Sequence, residues 1–295
     1  MSINIIGIIK KIYEENGNII QYLRNENKRE TNTIEDILIS YDFQAGSYID
    51  FVKKNPEYIE NYSTNLAALI NNLGGGETVM EVGCGEATTL NAVSKKLAVQ
   101  TNCYGFDISW SRIKMGNDYL KENDNKATLF IADLFKIPLA DDSIDIVYTS
   151  HSIEPNGGRE KEALESLYRV TKKYLVLLEP AFEFATEEGK ERMINNGYIT
   201  KLLDTIKDLG YNLILHKKSD VVANPVNPTG IYIIKKENSE NNILHKDIFN
   251  CPISNTPLEK FDDHYFASES LISYPIIGGI PCLFSSYAVL TTKHN

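Results

Sequence analysis

The sequence predicts an α/β fold with a doubly wound, mostly parallel sheet, a helical segment before it and a small β-rich module after it. Short apolar strands alternate with amphipathic helices through the middle of the chain, and the last two strands of that region are joined only by a polar loop. The length of 295 residues favours one domain of ordinary enzyme size with a small appendage.

The N-terminal segment, residues 1–73, is predicted to be helical. Isoleucines recur near helical spacing from Ile5 to Ile20, and a second apolar set begins at Ile34. A third set follows Pro56 and stops at the glycines of residues 74–76. We therefore expect three helical segments before the sheet.

The middle region, residues 74–237, alternates strands with helices. Parallel strands are predicted at residues 77–82, 101–107, 127–132, 143–150 and 173–180. Helices are predicted at residues 87–98, 110–121, 158–170 and 187–209. Strands at residues 211–216 and 230–236 should then pair antiparallel, because no helix joins them.

The last residues, 242–295, contain strand-like pieces separated by proline and glycine, after a polar linker KENSENN. A segment of this size cannot bury a large core, so we expect a module that docks on the main domain. The four cysteines form no CxxC pair, which argues against a disulfide framework and favours a reducing compartment.

Charge and hydropathy exclude several classes of function. Thirty basic against forty acidic side chains give a net charge of −10, which disfavours nucleic-acid binding. The apolar run at the N-terminus is too short for a signal peptide, and no stretch approaches the roughly 20 apolar residues that span a bilayer. We expect a cytoplasmic protein that does not bind a membrane.

The run EVGCGEA, residues 81–87, follows a strand and opens a helix. Gly83 and Gly85 permit positive φ angles and close backbone approach to a ligand. Asp107 ends the second strand 22 residues after Gly85, where such folds place the carboxylate that binds ribose hydroxyls. Asp133 follows the third strand. Each feature alone could be a tight turn or a helix cap, but three at successive strand ends favour a nucleotide-like ligand.

The runs EVGCGEATTL, GFDIS, ADLFKIPLADDSIDIVYTS and LVLLEP resemble successive motifs of class I S-adenosylmethionine-dependent methyltransferases, over about residues 77–236. The resemblance implies a Rossmann-like, seven-stranded sheet with a final antiparallel pair and S-adenosyl-L-methionine as cofactor. The cofactor contacts it implies are Glu81, Gly83, Cys84 and Gly85 at the methionine end, Asp107 at the ribose, Ile108, Asp133 and Leu134 at the adenine, and Ser150 at the amino-acid part. The family's third glycine is Ala87 here, a mild departure. A nicotinamide dehydrogenase is the competing interpretation, but it would show G-x-G-x-x-G and a continuous parallel sheet.

The polar run after strand four, which begins at Ser150, should face the ligand. We predict His151 as the general base, because its ordinary pKa suits proton transfer near neutral pH, and Glu154 as its partner. Predicted acceptor-binding residues are Asn156, Arg159 and Glu179. In the alternative interpretation, Glu154 and Asn156 only cap the next helix and His151 orders the loop.

Two flanking segments complete the prediction. In the N-terminal segment, Tyr41, Gln44 and Tyr48 are expected to close over the cofactor, or else to pack as an ordinary amphipathic helix. The C-terminal segment resembles the small zinc-ribbon-like proteins that activate certain methyltransferases, through its phrases CP…PL and YPI..GIP. Cys251 and Cys282 cannot complete a four-ligand zinc site, so we expect no metal.

The sequence thus predicts a methyltransferase that acts on an oxygen or nitrogen of a small molecule, such as a sugar or metabolite. The alternatives are methylation of RNA or a translation protein, suggested by the tail, and a cofactor-binding regulator without turnover. The sequence leaves the acceptor and the oligomeric state open.

Overall fold

The computed structural model describes residues 3–221, 226–237 and 248–294, and a seven-stranded sheet forms its centre. The strands are β1 (Thr78–Val82), β2 (Asn102–Asp107), β3 (Thr128–Ile131), β4 (Ile144–Ser150), β5 (Thr171–Pro180), β6 (Asn212–Lys218) and β7 (Thr229–Lys235). Their order is β3-β2-β1-β4-β5-β7-β6; the first five are parallel, and β7 runs antiparallel to β5 and β6. The predicted α/β fold with its antiparallel pair is confirmed.

Helices α6 (Thr88–Ser94), α7 (Trp110–Glu122) and α8 (Glu160–Val170) form the crossovers between the parallel strands. In α8, Ala163, Leu164, Leu167 and Val170 are buried, which is the apolar stripe of one helix face. The core of β4 is fully buried because helices cover both faces of a parallel sheet. This arrangement brings the carboxyl ends of β1–β5 to one edge, where the candidate site lies.

The N-terminal segment forms five helices, not three: α1 (Ile3–Glu14), α2 (Ile19–Glu26), α3 (Ile34–Phe43), α4 (Ser47–Lys54) and α5 (Pro56–Asn72). Asn18 starts a new helix by accepting the backbone N–H of Gln21, and Gly46 separates α3 from α4 with a φ of +99°. The apolar spacing continues across both breaks, so periodicity alone merges the helices. Within the described ranges, no helix is long and apolar enough to cross a membrane.

The single helix predicted for residues 187–209 is wrong, because the chain forms α9 (Glu187–Asn195) and α10 (Leu202–Asp208). Gly197 interrupts the helix with a φ of +67°. The carbonyl groups that end α9 accept hydrogen bonds from distant side chains: Arg24 donates to Asn195 O, and Asn32 Nδ2 donates to Asn196 O at 3.2 Å. These contacts span more than 160 residues, so local sequence does not reveal them.

The C-terminal module forms a second, antiparallel sheet from β8 (Glu259–Lys260), β9 (His264–Ala267), β10 (Ile272–Ile277), β11 (Ile280–Pro281) and β12 (Val289–Leu290). Directly after β11, Cys282 bridges in parallel to Ile131 of edge strand β3, and Leu283 N–H donates to Ile131 O at 2.9 Å. The Phe249 ring packs edge-on against Phe130, 5.1 Å away. The module therefore packs on the main domain and covers a sheet edge that would otherwise expose unpaired backbone groups.

Most of the predicted linker, from residue 238 to 242, lies outside the described residues. Across the described ranges, no group of three or more His, Cys, Asp or Glu side chains is arranged to hold a metal ion. Cys251 and Cys282 are both buried free thiols.

Candidate active site

A cavity of about 430 Å³ lies between the carboxyl ends of the parallel strands and helices α3–α5. Of the seventeen residues predicted for the site, fourteen line it: Tyr41, Tyr48, Glu81, Gly83, Cys84, Gly85, Asp107, Ile108, Asp133, Leu134, Ser150, His151, Glu154 and Asn156. They come from six separate segments of the chain, so the sheet together with helices α3 and α4 brings them into one place. The cavity is the candidate active site.

The glycine loop forms one wall of the cavity and leaves room for a ligand. Gly83 and Gly85 have φ angles of +63° and +53°, a region that L side chains rarely adopt. A Cβ at Gly83 would lie 2.3 Å from Ser152 Cβ, so only glycine fits there. Ala87, at the family's third glycine position, also adopts a positive φ of +55° and precedes α6. The alanine therefore occupies a left-handed backbone conformation that glycine adopts more readily.

Asp107 lies at the end of β2, directly beside the glycine loop. Its Oδ2 accepts the Gly85 N–H at 3.0 Å, and its Oδ1 accepts the Ser109 N–H at 2.9 Å. Each oxygen keeps one lone pair, so the carboxylate can still accept two ligand hydroxyl groups. Burial raises the pKa of Asp107, while the neighbouring Arg112 and the backbone N–H groups oppose the rise.

Two more carboxyl groups lie at successive positions along the cavity. Glu81 is buried, with Tyr148 Oη donating to its Oε2 at 3.1 Å, and burial raises its pKa to about 8. Asp133 Oδ1 accepts the Phe135 N–H at 2.9 Å, and burial raises the pKa of Asp133 as well. The lone pairs that remain at both sites could accept hydrogen bonds from ammonium or amino groups.

His151 and Glu154 form a hydrogen-bonded pair at the far side of the cavity. His151 Nδ1 lies 2.8 Å from Glu154 Oε2, and Nε2 lies 2.8 Å from Thr229 Oγ1. A carboxylate can only accept, so Nδ1 carries the proton and Nε2 accepts from the Thr229 hydroxyl when the ring is neutral. Burial alone would lower the pKa of His151, but the hydrogen bond and charge of Glu154, together with Glu179, raise it above the ordinary value.

Tyr41 and Tyr48 close the cavity from the N-terminal helices and flank a residue that the sequence analysis missed. The Arg112 guanidinium lies 5.0 Å from the Tyr41 ring centre and 4.6 Å from that of Tyr48. Arg112 Nη1 pairs with Glu86 Oε1 at 3.5 Å, and Glu86 Oε2 accepts the Ile49 N–H at 2.8 Å. Arg112 thus links helices α3 and α4 to the core. The sequence could have indicated Arg112, because it lies in the first turn of α7, five residues after Asp107.

Among the lining residues outside the predicted set, Tyr62, Asn227 and Thr229 make side-chain hydrogen bonds to predicted residues. Tyr62 of α5 forms a hydrogen bond of 2.7 Å with the predicted Ser150. Asn227 Nδ2 donates to Glu154 Oε1 at 3.2 Å, and Thr229 contacts His151 as described above. The sequence could have indicated Asn227 and Thr229, because they lie at the polar loop before β7. This strand pairs antiparallel with β5 and therefore starts at the edge of the site.

Three predicted residues lie outside the cavity lining. Gln44 Nε2 donates to Ser40 O and Oγ at 3.0 Å, and the side chain lines a separate cleft. The guanidinium carbon of Arg159 lies 3.4 Å from the centre of the Phe135 ring, and Arg159 Nη2 donates to Glu162. The Arg159 side chain therefore interacts with neighbours at the start of α8. Glu179 is fully buried behind the loop that carries His151. Asn156 does line the cavity, but its amide donates to Ile153 O at 3.2 Å.

The arrangement fits S-adenosylmethionine as a ligand. The glycines remove side-chain bulk where the cofactor would approach, and free carboxylate lone pairs lie where hydroxyl and amino groups are expected. Comparison with known proteins agrees. Residues 79–174 match a family model described as a methyltransferase domain.

Several solved structures are similar to this chain at low sequence identity. The magnesium protoporphyrin IX methyltransferase of Synechocystis PCC 6803, solved with bound S-adenosylhomocysteine, is 15% identical with a TM-score of 0.52, and the match covers 67% of this chain and 98% of that one. Geranyl diphosphate C-methyltransferase of Streptomyces coelicolor is 10% identical with a TM-score of 0.46, covering 58% and 79%. A chain from the complex between the Haloferax volcanii Trm112 methyltransferase activator and a methyltransferase is 15% identical with a TM-score of 0.47, covering 56% and 84%.

Proposed function

We propose that this S-adenosylmethionine-dependent methyltransferase methylates an oxygen or nitrogen of a small molecule, such as a sugar or another metabolite. The observation that carries the proposal is that the His151–Glu154 pair and the glycine loop line one cavity. The cofactor supplies a methyl group on a sulfonium centre, and its transfer depends on in-line alignment. An acceptor hydroxyl or ammonium group must also lose a proton, which requires a base at that place.

In this proposal His151 takes the proton at Nε2, where the Thr229 hydroxyl is bound in the free protein. Glu154 holds the ring in the required tautomer and stabilises the imidazolium through Nδ1–H. Because the base must be neutral, turnover should rise with pH as His151 loses its proton, through a pKa above 6.5. Arg112, buried in its pair with Glu86, has no role in this proton transfer.

The walls of the cavity favour a small acceptor without negative charge. Helices α3–α5 cover the cavity with apolar and aromatic side chains, among them Ile34, Ile37 and Tyr58. Carboxyl groups outnumber basic side chains in its lining, and the buried Arg112 already pairs with Glu86. An RNA backbone would meet repulsion here, and a protein acceptor would have to displace the helices. These contacts favour the small-molecule acceptor over the RNA or translation-protein alternative.

The flanking segments have roles in the same proposal. The N-terminal helices would retain the cofactor, since the Tyr48 ring lies beside Gly85 of the glycine loop and Tyr41 lines the same cavity. The C-terminal module, with its resemblance to methyltransferase activators, would act within its own chain by covering β3. A regulator without turnover would need the glycine loop but not a base, so the His151–Glu154 pair argues against it.

The test is transfer of a labelled methyl group from S-adenosylmethionine to separate pools of sugars and alcohols, amines, RNA and proteins. We expect label in a small-molecule pool, and a kcat reduced by about 10²–10⁴ in His151→Ala. His216→Ala is the matched control, because His216 also pairs with a glutamate, Glu183 at 2.7 Å, but lies outside the cavity lining. Label only in RNA or protein would contradict the acceptor class. Wild-type turnover by His151→Ala across about pH 6–9 would remove His151 from the mechanism.

A further inference from the structure

One buried carboxylate accepts hydrogen bonds from three consecutive backbone N–H groups directly behind the cavity. Glu179, at the end of β5, is fully buried. Its Oε1 accepts the N–H groups of Ser152 and Ile153 at 3.0 and 3.2 Å, and its Oε2 accepts the Glu154 N–H at 3.1 Å. These amides belong to the loop that carries the proposed base. The sequence analysis assigned Glu179 to acceptor binding, but its side chain lies outside the cavity lining.

The loop needs this support because its backbone is strained. His151 has a φ of +56°, a left-handed conformation that is unusual for a residue with a Cβ. The His151 N–H continues the sheet by donating to Leu178 O at 2.9 Å, and the chain then turns so that the next three N–H groups converge on Glu179. Such conformations persist only where several contacts over-determine them. The carboxylate supplies three of those contacts.

The same turn determines whether the His151 and Glu154 side chains meet. Their 2.8 Å hydrogen bond spans three residues, and the intervening backbone is the part held by Glu179. We propose that Glu179 is a positioning residue that holds the loop of residues 151–154 so that Glu154 fixes the ring of His151. This inference rests on the proposed role of His151 as base. It assigns Glu179 to the geometry of the base and not to the acceptor.

Charge and length both matter to this role. A glutamine at position 179 offers one acceptor oxygen, and its NH₂ group would face at least one of the three N–H donors. An aspartate keeps the charge but is one methylene shorter, so it cannot reach all three amides in the same geometry. Burial raises the pKa of Glu179 to about 7, and His151 and the loop N–H groups oppose the rise. Glu154 is the other charged group that faces His151, so both carboxylates act on the same ring.

The test compares Glu179→Gln and Glu179→Asp with the wild type by NMR of the His151 ring nitrogens, assigned with His151→Ala. We expect a hydrogen-bonded Nδ1–H signal in the wild type and its loss or exchange broadening in both variants. Affinity for S-adenosylhomocysteine should change by less than about threefold. Asp145→Asn is the matched control, because buried Asp145 also accepts two backbone N–H groups, at 2.7 and 3.3 Å, but at the start of β4 on the opposite edge. This control should leave the His151 signal unchanged.

An unchanged His151 signal in the folded variants would overturn the proposal, and if Glu179→Gln does not fold, Glu179→Asp decides by the same measurement. Once an acceptor is known, the proposal expects kcat to fall at least about tenfold with little change in acceptor KM. A raised KM with unchanged kcat would instead restore Glu179 to acceptor binding. Because the NMR measurement needs no acceptor, its outcome is independent of whether His151→Ala abolishes turnover.

Discussion

Replacing Asp107 with alanine tests the cofactor cradle at the residue whose geometry is best defined. In the structure each carboxylate oxygen accepts one backbone N–H, and its second lone pair is the one that we propose binds a ribose hydroxyl. The substitution removes both acceptors and leaves the N–H groups of Gly85 and Ser109 without their partner. Each hydrogen bond between the carboxylate and a ribose hydroxyl replaces a bond to water, so we assign about 0.75–1.5 kcal/mol net to each of the two. We expect a total loss of about 1.5–3 kcal/mol, or about tenfold to hundredfold in affinity.

The assay is calorimetric titration with S-adenosylhomocysteine at neutral pH. The affinity of Asp107→Asn for S-adenosylhomocysteine should lie between those of the wild type and Asp107→Ala, because the amide keeps one acceptor oxygen but turns its NH₂ group toward a donor. Asp262→Ala is the control, since it removes the same charge from an exposed position in the C-terminal module. Thermal unfolding of each variant verifies that it is folded. Affinity within about twofold of wild type in folded Asp107→Ala would refute the cradle as described.

The remaining predictions concern stability and metal content. Burial raises the pKa of Glu81 from 4.5 to about 8, so its contribution to stability is fully present below pH 4.5 and is lost as pH rises through 8. The melting temperature of the ligand-free protein, measured by calorimetry, should therefore fall at high pH, and Glu81→Gln should flatten this dependence. Parallel curves of melting temperature against pH for the wild type and the variant would contradict the prediction. Arg112→Met should lower the free energy of unfolding, measured in urea, by about 3–5 kcal/mol, because it leaves Glu86 buried without its partner. Adding Glu86→Gln should recover part of that loss, and strictly additive effects of the two substitutions on the free energy of unfolding would refute the pairing. The isolated segment 242–295 should show no cooperative melt, and the purified protein no stoichiometric zinc; a cooperative transition or one zinc per chain would contradict these expectations.

Much of the fold follows from local sequence. Parallel strands appear as short apolar runs, crossover helices as amphipathic runs, and the final antiparallel pair as two strands with no helix between them. The glycine loop is also readable, because Gly83 and Gly85 occupy backbone conformations that other residues avoid. The element predictions were wrong for two reasons. The N-terminal helices break at Asn18 and Gly46, two local signals that periodicity overlooks, whereas the second error has a remote contribution. Helix 187–209 breaks at Gly197, where Arg24 and Asn32 bind the carbonyl groups of the preceding helix end.

The residues of the candidate site also divide into those that local sequence predicts and those that it does not. The sequence alone predicted that residues at strand ends, including Asp107 and His151, lie at one site, because in a parallel sheet every strand carries its next residues to the same edge; these residues line one cavity. Only the tertiary structure decided which neighbouring side chains turn into the cavity. Arg112 and Thr229 do so, whereas Glu179 points behind the loop to bind its amides. Strand ends are set by local periodicity, but the direction of a side chain depends on which distant donors and acceptors the packed chain brings within hydrogen-bonding distance.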